Sequence, residues 1–383
     1  MIKVIQFIHG LNMGGAETLV KEYALGLDKR KFDVTVLCLE HRDSPYEEIL
    51  KEAGIKTIYI CDEISLSNKK NAFSKLQNKL AYYIYLRRYM RSVKPDVIHV
   101  HLLLNKLIRF AGLHKSVKVV YTQHFQVDRW VRNYSSEIRA VRWLLNHYDT
   151  QLIALNRDMK KEIDKIFHIE STIVINNGIN LSRYYNKMAR ATKRKELVIT
   201  ENAFIVGHVG RFNTLKNHKF LVDVFAEIHK KRPDSKLILV GSGDTETSIC
   251  NKLDSMGLLY NTIILHNRTD VPDLLHAMDI MIFPSLSEGL GISVIEAQVA
   301  GVKCLASDVV PSATRISNLI SFKNLSDGAQ SWADYALQWC SENTCPAYYD
   351  LEKWDMEQGI KQLEHVYLND SNRLLRRKAS YNE

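Results

Sequence analysis

Short apolar segments typical of β-strands alternate with segments of helical spacing along most of this chain, and no other feature limits the possible folds as strongly. In the first half the strand-like segments are IKVIQFI (2–8), FDVTVLCL (32–39), IKTIYI (55–60), DVIHVH (96–101) and KVVYTQH (118–124). The segments between them favour helices. Such alternation is typical of parallel sheets covered by helices on both faces.

The second half repeats this pattern. Its strand-like segments are AFIVGHVG (203–210), SKLILVGSGD (235–244), TIILHN (262–267), IMIFPS (280–285) and VKCLASD (302–308). A length of 383 residues suits two domains of ordinary size. We therefore predict an α/β protein with two doubly wound, Rossmann-like domains, residues 1–177 and 178–359, joined near 177–200. Ligands of open α/β sheets bind beyond the carboxyl ends of the strands, so we expect a cleft between facing loops.

The segment GRFNTLKNH (210–218) places Arg211 and Lys216 around a turn that precedes a predicted helix. A helix N-terminus has free N–H groups and a partial positive charge, so it attracts anions. A guanidinium and an ammonium beside it make a diphosphate the natural ligand. The alternative is a surface loop with two solvated cations.

A second glycine-rich turn, HGLNMGGAE (9–17), also enters a helix. Gly14 and Gly15 would let the backbone approach a phosphate or a sugar closely. The spacing is not that of a dinucleotide-binding fingerprint. The alternative is a plain turn with a helix cap.

The segment PSLSEGLGISVIEA (284–297) holds two glutamates, one in a glycine-rich loop and one inside the following helix. Glu288 and Glu296 would lie roughly 10 Å apart along the start of that helix. Two carboxylate acceptors suit a ligand with two separate pairs of hydroxyl groups, such as a sugar and a ribose. Taken singly, each glutamate is also compatible with an ordinary cap or surface position.

Histidines end two neighbouring strands of the first half. His124 follows the strand at 118–124, and a histidine there can donate to a ligand oxygen or serve a structural role. We expect His99 to be structural and to lie on the sheet face opposite to His101.

Together these segments resemble the retaining glycosyltransferases of family 4, which have the GT-B fold. The resemblance spans nearly the whole chain through GLNMGGAE, PDVIHVH, VINNGI, HVGRFNTLKN, LILVGSGD, FPSLSEGLGISVIEAQVAGVKCLASD and the closing helices. It implies transfer of a sugar from a nucleotide-diphospho-sugar with retention of anomeric configuration. It also implies that the domains close over the donor and that residues 360–383 pack back on the first domain.

The resemblance assigns a role to each candidate residue. It implies a catalytic set of His124, Glu288, Arg211 and Lys216. It implies a donor-binding set of Gly14, Gly15, Arg211, Lys216, Arg268, Glu288, Gly289, Leu290, Gly291 and Glu296. Within these sets, Arg211 and Lys216 hold the diphosphate, Glu288 reads the donor sugar and Glu296 the ribose, while the backbone at Arg268 brackets the base. UDP is the nucleotide this family uses most often, so a UDP-sugar is the expected donor.

The expected enzyme is a hexosyltransferase without cofactor or metal. No D-x-D motif or acidic cluster suggests a metal, so protein cations would neutralise the leaving diphosphate. The family mechanism is front-face attack assisted by the leaving phosphate. Gly291 and Ile292 stand where relatives often carry Phe or Pro-Leu, and the usual residues after the strand-end histidine are absent at His124.

Much of the net charge of +9 lies in the first half. Residues 64–95 contain eight Lys and Arg, Lys69 and Lys70 among them, and no acidic residue. Phe73, Leu76, Leu80, Tyr83 and Ile84 form one stripe of the predicted helix at 72–93, with Lys75, Lys79, Arg87, Arg88 and Arg91 as its cations. Such a helix is typical of contact with anionic membrane and would suit a saccharide or lipid-linked acceptor. The alternative is an ordinary core stripe with a solvated basic face.

The cysteines and the hydropathy of the sequence predict the cellular location of the protein. The six cysteines form no C-x-x-C pair and no zinc spacing, which favours a reducing cytoplasm. No secretory signal and no membrane-spanning stretch is visible. We expect a cytoplasmic protein, or one peripheral on the inner face of the membrane.

Three alternatives stay open at this point. One is a nucleotide-sugar epimerase or a phosphorylase on the same fold. Another is a protein that binds nucleic acid or membrane through the basic segment, although no RRM, KH or helix-turn-helix signature is present. The third is a scaffold without catalytic activity. Release of a nucleoside diphosphate would distinguish the transferase from the last two.

Overall fold

The computed structural model describes residues 1–67, 71–186 and 188–368. It divides into two compact units, Met1–Gly178 with Met356–Glu383, and Ile179–Asp355. Lys69, Lys70 and residues 369–383 of the predicted C-terminal segment lie outside the described residues. Within the described residues, no helix combines the length and the apolar character that crossing a bilayer requires.

The first unit is built on a parallel sheet with the strand order β3-β2-β1-β4-β5-β6-β7. Its strands are β1 (Ile2–Ile8), β2 (Phe32–Cys38), β3 (Lys56–Tyr59), β4 (Val97–His101), β5 (Lys118–Thr122), β6 (Asp149–Ala154) and β7 (Ile173–Val174). All neighbouring strands pair in parallel. Every residue of β4 and β5 is buried, as expected for central strands covered on both faces.

Helices connect these strands. They are α1 (Gly15–Gly26), α2 (Pro45–Glu52), α3 (Ile60–Glu63), α4 (Ala72–Val93), α5 (Asn105–Arg109), α6 (Val127–Asn133), α7 (Ser135–His147) and α8 (Arg157–Phe167). Local sequence explains several of their ends. Asn156 caps α8 by accepting a hydrogen bond from the N–H of Met159 at 2.8 Å, and His168 ends it in the left-handed conformation.

The second unit repeats the architecture with the order β10-β9-β8-β11-β12-β13. Its strands are β8 (Ile205–Val209), β9 (Lys236–Val240), β10 (Thr262–Leu265), β11 (Ile280–Phe283), β12 (Lys303–Ser307) and β13 (Ile320–Lys323). These strands also pair in parallel. The strand order changes direction at β8, which pairs with β9 on one side and with β11 on the other. Open α/β sheets bind their ligands at such a point.

The helices of the second unit are α9 (Ala189–Glu196), α10 (His218–Lys231), α11 (Glu246–Ser255), α12 (Val271–His276), α13 (Ile292–Val299) and α14 (Gly328–Ser341). The core joins α10 and α14 to the sheet, with the ring of Trp332 packed edge-on against Phe220 at 5.4 Å. Trp332 also donates its indole N–H to the carbonyl of Asn324 at 2.9 Å. This unit therefore carries its own complete hydrophobic core.

The last described helix, α15 (Met356–Leu368), belongs to the first unit. Its apolar face contributes Met356, Leu363 and Tyr367 to the core that also contains Val4 and Val97. A Cβ added at Gly26 would come within 2.3 Å of the end of the Ile360 side chain, so a larger residue there would require that side chain to move. The chain thus returns to its first unit at Met356, whereas the sequence placed the return at 360.

The segment at 177–200, near which the sequence predicts the join between the domains, contains a helix that the sequence analysis did not predict. Residues 189–196 form α9, and Arg194 is buried in the second unit. Its guanidinium donates to the carbonyl of Ala277 at 3.1 Å and pairs with Asp279 at 2.8 Å. The lysines and arginines around Arg194 have the composition of a polar linker. Composition does not show that one of these arginines is buried.

Candidate functional site

Lys216 and Glu288, which lie far apart in the sequence, form an ion pair in the second unit. The ammonium of Lys216 donates to the Glu288 carboxylate at 2.7 Å, and both side chains are largely shielded from solvent. The same ammonium lies 4.4 Å from the ring centroid of Phe283 at the end of β11. The fold thus brings together two of the residues that the sequence assigned to the donor.

The loops that carry these two residues are joined by backbone contacts. The N–H of Leu286 donates to the carbonyl of Leu215 at 2.7 Å. Asn213 accepts a hydrogen bond from the N–H of Lys216 at 3.1 Å, which caps the short 3-10 helix Thr214–Lys216. The Lys216 side chain therefore begins from a fixed backbone rather than from a free loop.

The glycine-containing loop after β9 packs against the segment that contains Arg211 and is hydrogen-bonded to it. The N–H of Phe212 donates to the carbonyl of Ser242 at 2.8 Å. A Cβ added at Gly241 would lie 2.0 Å from the Gly210 oxygen, and one at Gly243 would lie 2.2 Å from the Phe212 oxygen. Both glycines have φ near +150°, a region that other residues avoid. These glycines are therefore required for the shape of the candidate site, although the sequence did not place them in it.

The glycine-rich loop after β11 leads into α13. Gly291 precedes the helix with φ of 84°, in the left-handed region. Leu290 is buried, whereas Gly289 is partly exposed. Gly289 and Gly291 thus have no Cβ that would shield their backbone N–H groups.

Glu296 lies on the same helix but has a different partner. The hydroxyl of Tyr184, a buried residue, donates to the Glu296 carboxylate at 2.7 Å. This hydrogen bond fixes the orientation of the carboxylate. Tyr184 is a contact that the sequence analysis missed, because nothing in the surrounding LSRYY marks it.

The two arginines of the predicted donor set differ in their surroundings. Arg211 is exposed on the loop after β8. The side chain of Arg268 instead binds Asp270 at 2.7 Å and Glu196 at 2.8 Å. These two carboxylates hold the pKa of Arg268 above its usual range. Its side chain is therefore held by ion pairs to both carboxylates.

In the first unit, Gly14 and Gly15 lie at the start of α1. Gly14 is the N-cap residue and has no side chain to bind the first N–H groups of the helix. Its carbonyl accepts a hydrogen bond from the N–H of Thr18 at 2.8 Å. The first turn therefore presents backbone donors at the carboxyl edge of the sheet, beside the end of β1.

His124 follows β5 and is hydrogen-bonded to His101, with 2.9 Å between His124 Nε2 and His101 Nδ1. The packed surroundings lower the pKa of His124 to about 3. His99 and His101 lie on the same face of β4, with ring centroids 4.1 Å apart. The expectation that they face opposite sides was wrong, because side chains two residues apart on a strand share a face.

Helix α4 exposes the apolar stripe that the sequence singled out. Phe73, Leu76, Leu80 and Ile84 are 75%, 66%, 56% and 52% exposed. The interpretation of this stripe as ordinary core is therefore wrong for these four residues. The five cations predicted for the helix are exposed as well: Lys75, Lys79, Arg87, Arg88 and Arg91.

One group of side chains in the described residues has the composition of a metal site. His41, Cys61 and Asp62 offer ligand atoms within 4.8 Å of one another, near the ends of β2 and β3. Both ring nitrogens of His41 already bind carboxylates, Glu47 at 2.7 Å and Asp62 at 2.9 Å. These hydrogen bonds raise the pKa of His41, and burial raises that of Cys61. The group is thus organised around the His41 imidazole and its two carboxylate partners.

Two family models match the chain, one for each half. Residues 13–183 match the model described as Glycosyltransferase Family 4, and residues 189–324 match the model described as Glycosyl transferases group 1. The first match contains Gly14, Gly15 and His124, and the second contains Arg211 through Glu296. Both matches therefore include the candidate residues described above.

Individual proteins with similar sequences have related names. The putative glycosyltransferase EpsF of Bacillus subtilis is 25% identical over 95% of this chain and 96% of its own length. An enzyme of Escherichia coli named UDP-Gal:alpha-D-GlcNAc-diphosphoundecaprenol alpha-1,3-galactosyltransferase is also 25% identical, over 76% of this chain and 75% of its own.

Solved structures show the same fold. Anabaena Alr3699/HepE, crystallised in complex with UDP and glucose, superposes with a TM-score of 0.71 at 17% identity and covers 99% of this chain and 100% of its own. WaaG, a glycosyltransferase involved in lipopolysaccharide biosynthesis, superposes with a TM-score of 0.67 at 16% identity and covers 94% of each chain. These matches confirm the GT-B fold expected from the sequence.

Proposed function

Because the chain belongs to the glycosyltransferases of group 1 and family 4 and is therefore a hexosyltransferase, we propose that it transfers a hexose from a UDP-sugar with retention of configuration. The proposed acceptor is a saccharide carried on a lipid diphosphate, and the proposed process is assembly of cell-surface polysaccharide. This acceptor has the chemistry that the name of the Escherichia coli relative prints. UDP is the nucleotide bound in the Anabaena structure and printed for that relative.

The observation that carries this proposal is the pair formed by Lys216 and Glu288. A lysine that binds a phosphate and a glutamate that binds sugar hydroxyls must lie next to each other where phosphate and sugar are joined. The 2.7 Å contact between the two side chains supports this assignment. In the donor complex, Lys216 would move its hydrogen bonds to the diphosphate and free the Glu288 carboxylate for the sugar.

The leaving diphosphate is proposed to be stabilised without a metal. Arg211 and Lys216 supply two cations around the turn after β8, and α10 begins directly after it at His218. Cations and a helix N-terminus placed where charge develops act as fixed electrostatic stabilisation. Glu288 is proposed to orient the sugar rather than to attack it, and the attack comes from the acceptor on the face that the diphosphate leaves.

The ribose and the base have proposed positions as well. Glu296, oriented by Tyr184, would accept hydrogen bonds from the ribose hydroxyls, and the backbone at Arg268 would lie beside uracil. His124 would contact the transferred sugar from the first unit.

We place the protein at an anionic membrane surface through α4. Residues 73, 76, 80 and 84 recur at one-face helical spacing, and Arg87 and Arg91 continue that face by one and two turns. An exposed apolar stripe that ends in cations matches the boundary between acyl chains and anionic headgroups. Contact with the surface would bring the enzyme to a lipid-linked acceptor.

A transfer assay tests the function as a whole. Purified protein is mixed with UDP-glucose, UDP-galactose or UDP-N-acetylglucosamine and with synthetic saccharide diphospholipids, and UDP release is followed with wild type and Glu288→Gln. We expect one donor to support release, loss of that release in the variant, and a product whose anomeric proton signals in NMR spectra show α linkage. An inverted product would contradict the proposed mechanism, and donor turnover in the variant equal to wild type would contradict the site.

A further inference from the structure

A chain of buried polar side chains runs through the first unit, from the last described helix to His124. Its members lie on four different elements: Gln6 on β1, His99 and His101 on β4, Thr122 on β5 and Tyr367 on α15. Each of these residues is no more than 1% exposed. Buried polar groups carry a cost unless each finds a partner, so a connected set of this kind specifies one arrangement.

Gln6 is the centre of the chain. Its amide Nε2 donates to the Tyr367 hydroxyl at 2.9 Å, and its Oε1 lies 2.7 Å from Nε2 of His101. With the amide in this orientation, its oxygen can only accept, so the proton of His101 is on Nε2. Its Nδ1 is then an acceptor, and the 2.9 Å contact with Nε2 of His124 requires His124 to donate from Nε2.

The other branch is consistent with the same proton order. Tyr367 accepts from Gln6, so its own O–H is available to Nδ1 of His99 at 2.7 Å. His99 then donates from Nε2 to the Thr122 hydroxyl at 2.7 Å. Reversing the Gln6 amide would reverse every donor along the chain and would put the proton of His124 on Nδ1 instead.

Burial keeps the three imidazoles in their neutral forms. Desolvation lowers the pKa of His99, His101 and His124 below the ordinary value of 6.5. A neutral imidazole has one donor and one acceptor, and which nitrogen does which is set by its neighbours. The tautomer of His124 is thus decided inside the core.

Nδ1 of His124 makes no hydrogen bond to any residue within the described part of the chain, and the side chain is partly exposed. With the proton on Nε2, this nitrogen presents a lone pair. A lone pair accepts a hydrogen bond from a hydroxyl group, whereas an N–H would donate one. The two tautomers would therefore orient a sugar hydroxyl in opposite ways.

We propose that Tyr367 is a positioning residue that acts through Gln6 and His101 to hold His124 as the Nε2-protonated tautomer, with Nδ1 as the acceptor for a hydroxyl of the transferred sugar. The change in turnover that we expect from this inference rests on the proposed function. Helix α15 then does more than cover the sheet, because the Tyr367 hydroxyl bonds one end of the Gln6 amide, on whose orientation the proton order depends.

The test is Tyr367→Phe, which removes the hydroxyl and keeps the ring. Nitrogen NMR spectra of protein labelled at histidine report the tautomer of His124 without any ligand. We expect wild type to have one tautomer and the variant a mixture, with kcat/KM for the UDP-hexose about tenfold lower. The matched control is Tyr23→Phe, since Tyr23 is equally buried and its ring stacks 6.2 Å from that of His99, but no hydrogen bond of its hydroxyl enters the chain. We expect this control to keep the wild-type tautomer.

Gln6→Met interrupts the chain at its centre with a side chain of similar volume and gives a second variant if Tyr367→Phe folds poorly. We expect the same mixture of tautomers. A single unchanged tautomer in both variants would overturn the inference, and so would a changed tautomer with wild-type turnover. Failure of every UDP-hexose with wild-type protein would instead overturn the proposed function, which the ligand-free spectra distinguish.

Discussion

At the scale of single residues, the ion pair between Lys216 and Glu288 predicts how the two ends of the donor are bound. We expect wild type to bind the UDP-hexose more tightly than UDP, because Glu288 adds hydrogen bonds to the sugar. Glu288→Gln should bind UDP as well as wild type does, since Lys216 is released from its partner, but should lose the preference for the UDP-hexose. Isothermal titration with both ligands measures this difference. A variant that still prefers the sugar nucleotide would place the sugar elsewhere.

Glu296 allows a prediction about the ribose. If its carboxylate accepts the ribose hydroxyls, wild type should bind UDP about tenfold to a hundredfold more tightly than 2′,3′-dideoxy-UDP, because hydrogen bonds to a charged group contribute about 1.5–3 kcal/mol. Glu296→Ala should bind the two ligands with similar affinity. Tyr184→Phe removes only the hydrogen bond that orients the carboxylate. Its preference for UDP over the dideoxy analogue should therefore lie between those of wild type and Glu296→Ala. Equal preference for UDP in wild type and Glu296→Ala would remove Glu296 from the ribose site.

The sequence identified the residues with charged or glycine-rich surroundings but not the neutral ones that orient them. Lys216 and Glu288 were assigned from the loops in which they stand. Tyr184, Gln6 and Tyr367 lie in segments with no such signal, and their partners are at least 90 positions away, so only folding brings them into contact. The error about the face of His99 had a different cause. The two-residue period of a strand already places His99 and His101 on the same face, so the sequence alone was sufficient to predict it.

At the scale of elements, the glycine loop after β9 should be essential for the shape of the donor loop. Gly241→Ala would bring a Cβ to 2.0 Å from the Gly210 oxygen, so the two backbones must separate. Gly257→Ala is the matched control, because Gly257 has φ of +68° but open space around its Cβ. We expect the control to lower the free energy of unfolding by about 1 kcal/mol. Gly241→Ala should cost more than twice as much and should also weaken UDP binding, as chemical denaturation and titration would report. Equal effects of the two variants would contradict the close approach.

Helix α4 makes a separate prediction about membranes. Leu76→Glu with Leu80→Glu should reduce binding to phosphatidylglycerol vesicles in a sedimentation assay, because the change removes apolar contact and adds repulsion from the anionic surface. Binding by wild type should also fall with added salt and should be weak for phosphatidylcholine vesicles. Val198→Glu in the second unit is the control, since Val198 is even more exposed than the two leucines but is not part of α4. Unchanged vesicle binding by the double variant would exclude α4 as the contact.

The strands were the best predicted elements, since buried parallel strands form short apolar runs that polar residues or glycine end. Helix α4 was predicted at 72–93, as it occurs. Helix α9 was missed because its sequence, ARATKRKE, is almost entirely polar and its buried residues are only Ala189 and Arg194. The sequence also left undecided whether the apolar stripe of α4 is exposed. Periodicity identifies an apolar face but does not show whether other parts of the protein cover it.

At the scale of the whole molecule, buried histidines should make stability depend on pH. Burial lowers the pKa of His218 to about 4, below the ordinary 6.5, so the unfolded chain takes up protons first as the pH falls. The stability from this group is complete above pH 6.5 and is lost between pH 6.5 and 4, at up to about 1.4 kcal/mol per pH unit. The buried imidazoles of the first unit change stability in the same direction.

His218→Leu separates this effect from other groups. Neither ring nitrogen of His218 has a hydrogen-bond partner in the described residues, so the substitution sacrifices no hydrogen bond to them. We expect unchanged or higher stability at pH 7 and a smaller loss between pH 6.5 and 4, measured by denaturant unfolding at several pH values. A pH dependence equal to that of wild type would show that His218 takes up its proton without a cost in the folded state.

The central claim is that the loops after β8 and β11 bind the diphosphate of a UDP-sugar, and titration calorimetry with UDP tests it most directly. We compare wild type with Lys216→Met and with Lys219→Met, a control that removes an exposed lysine of α10. Loss of one charge-assisted contact with phosphate should weaken binding about tenfold to a hundredfold in Lys216→Met and leave Lys219→Met close to wild type. Equal affinity in all three proteins would contradict the assignment of the donor site.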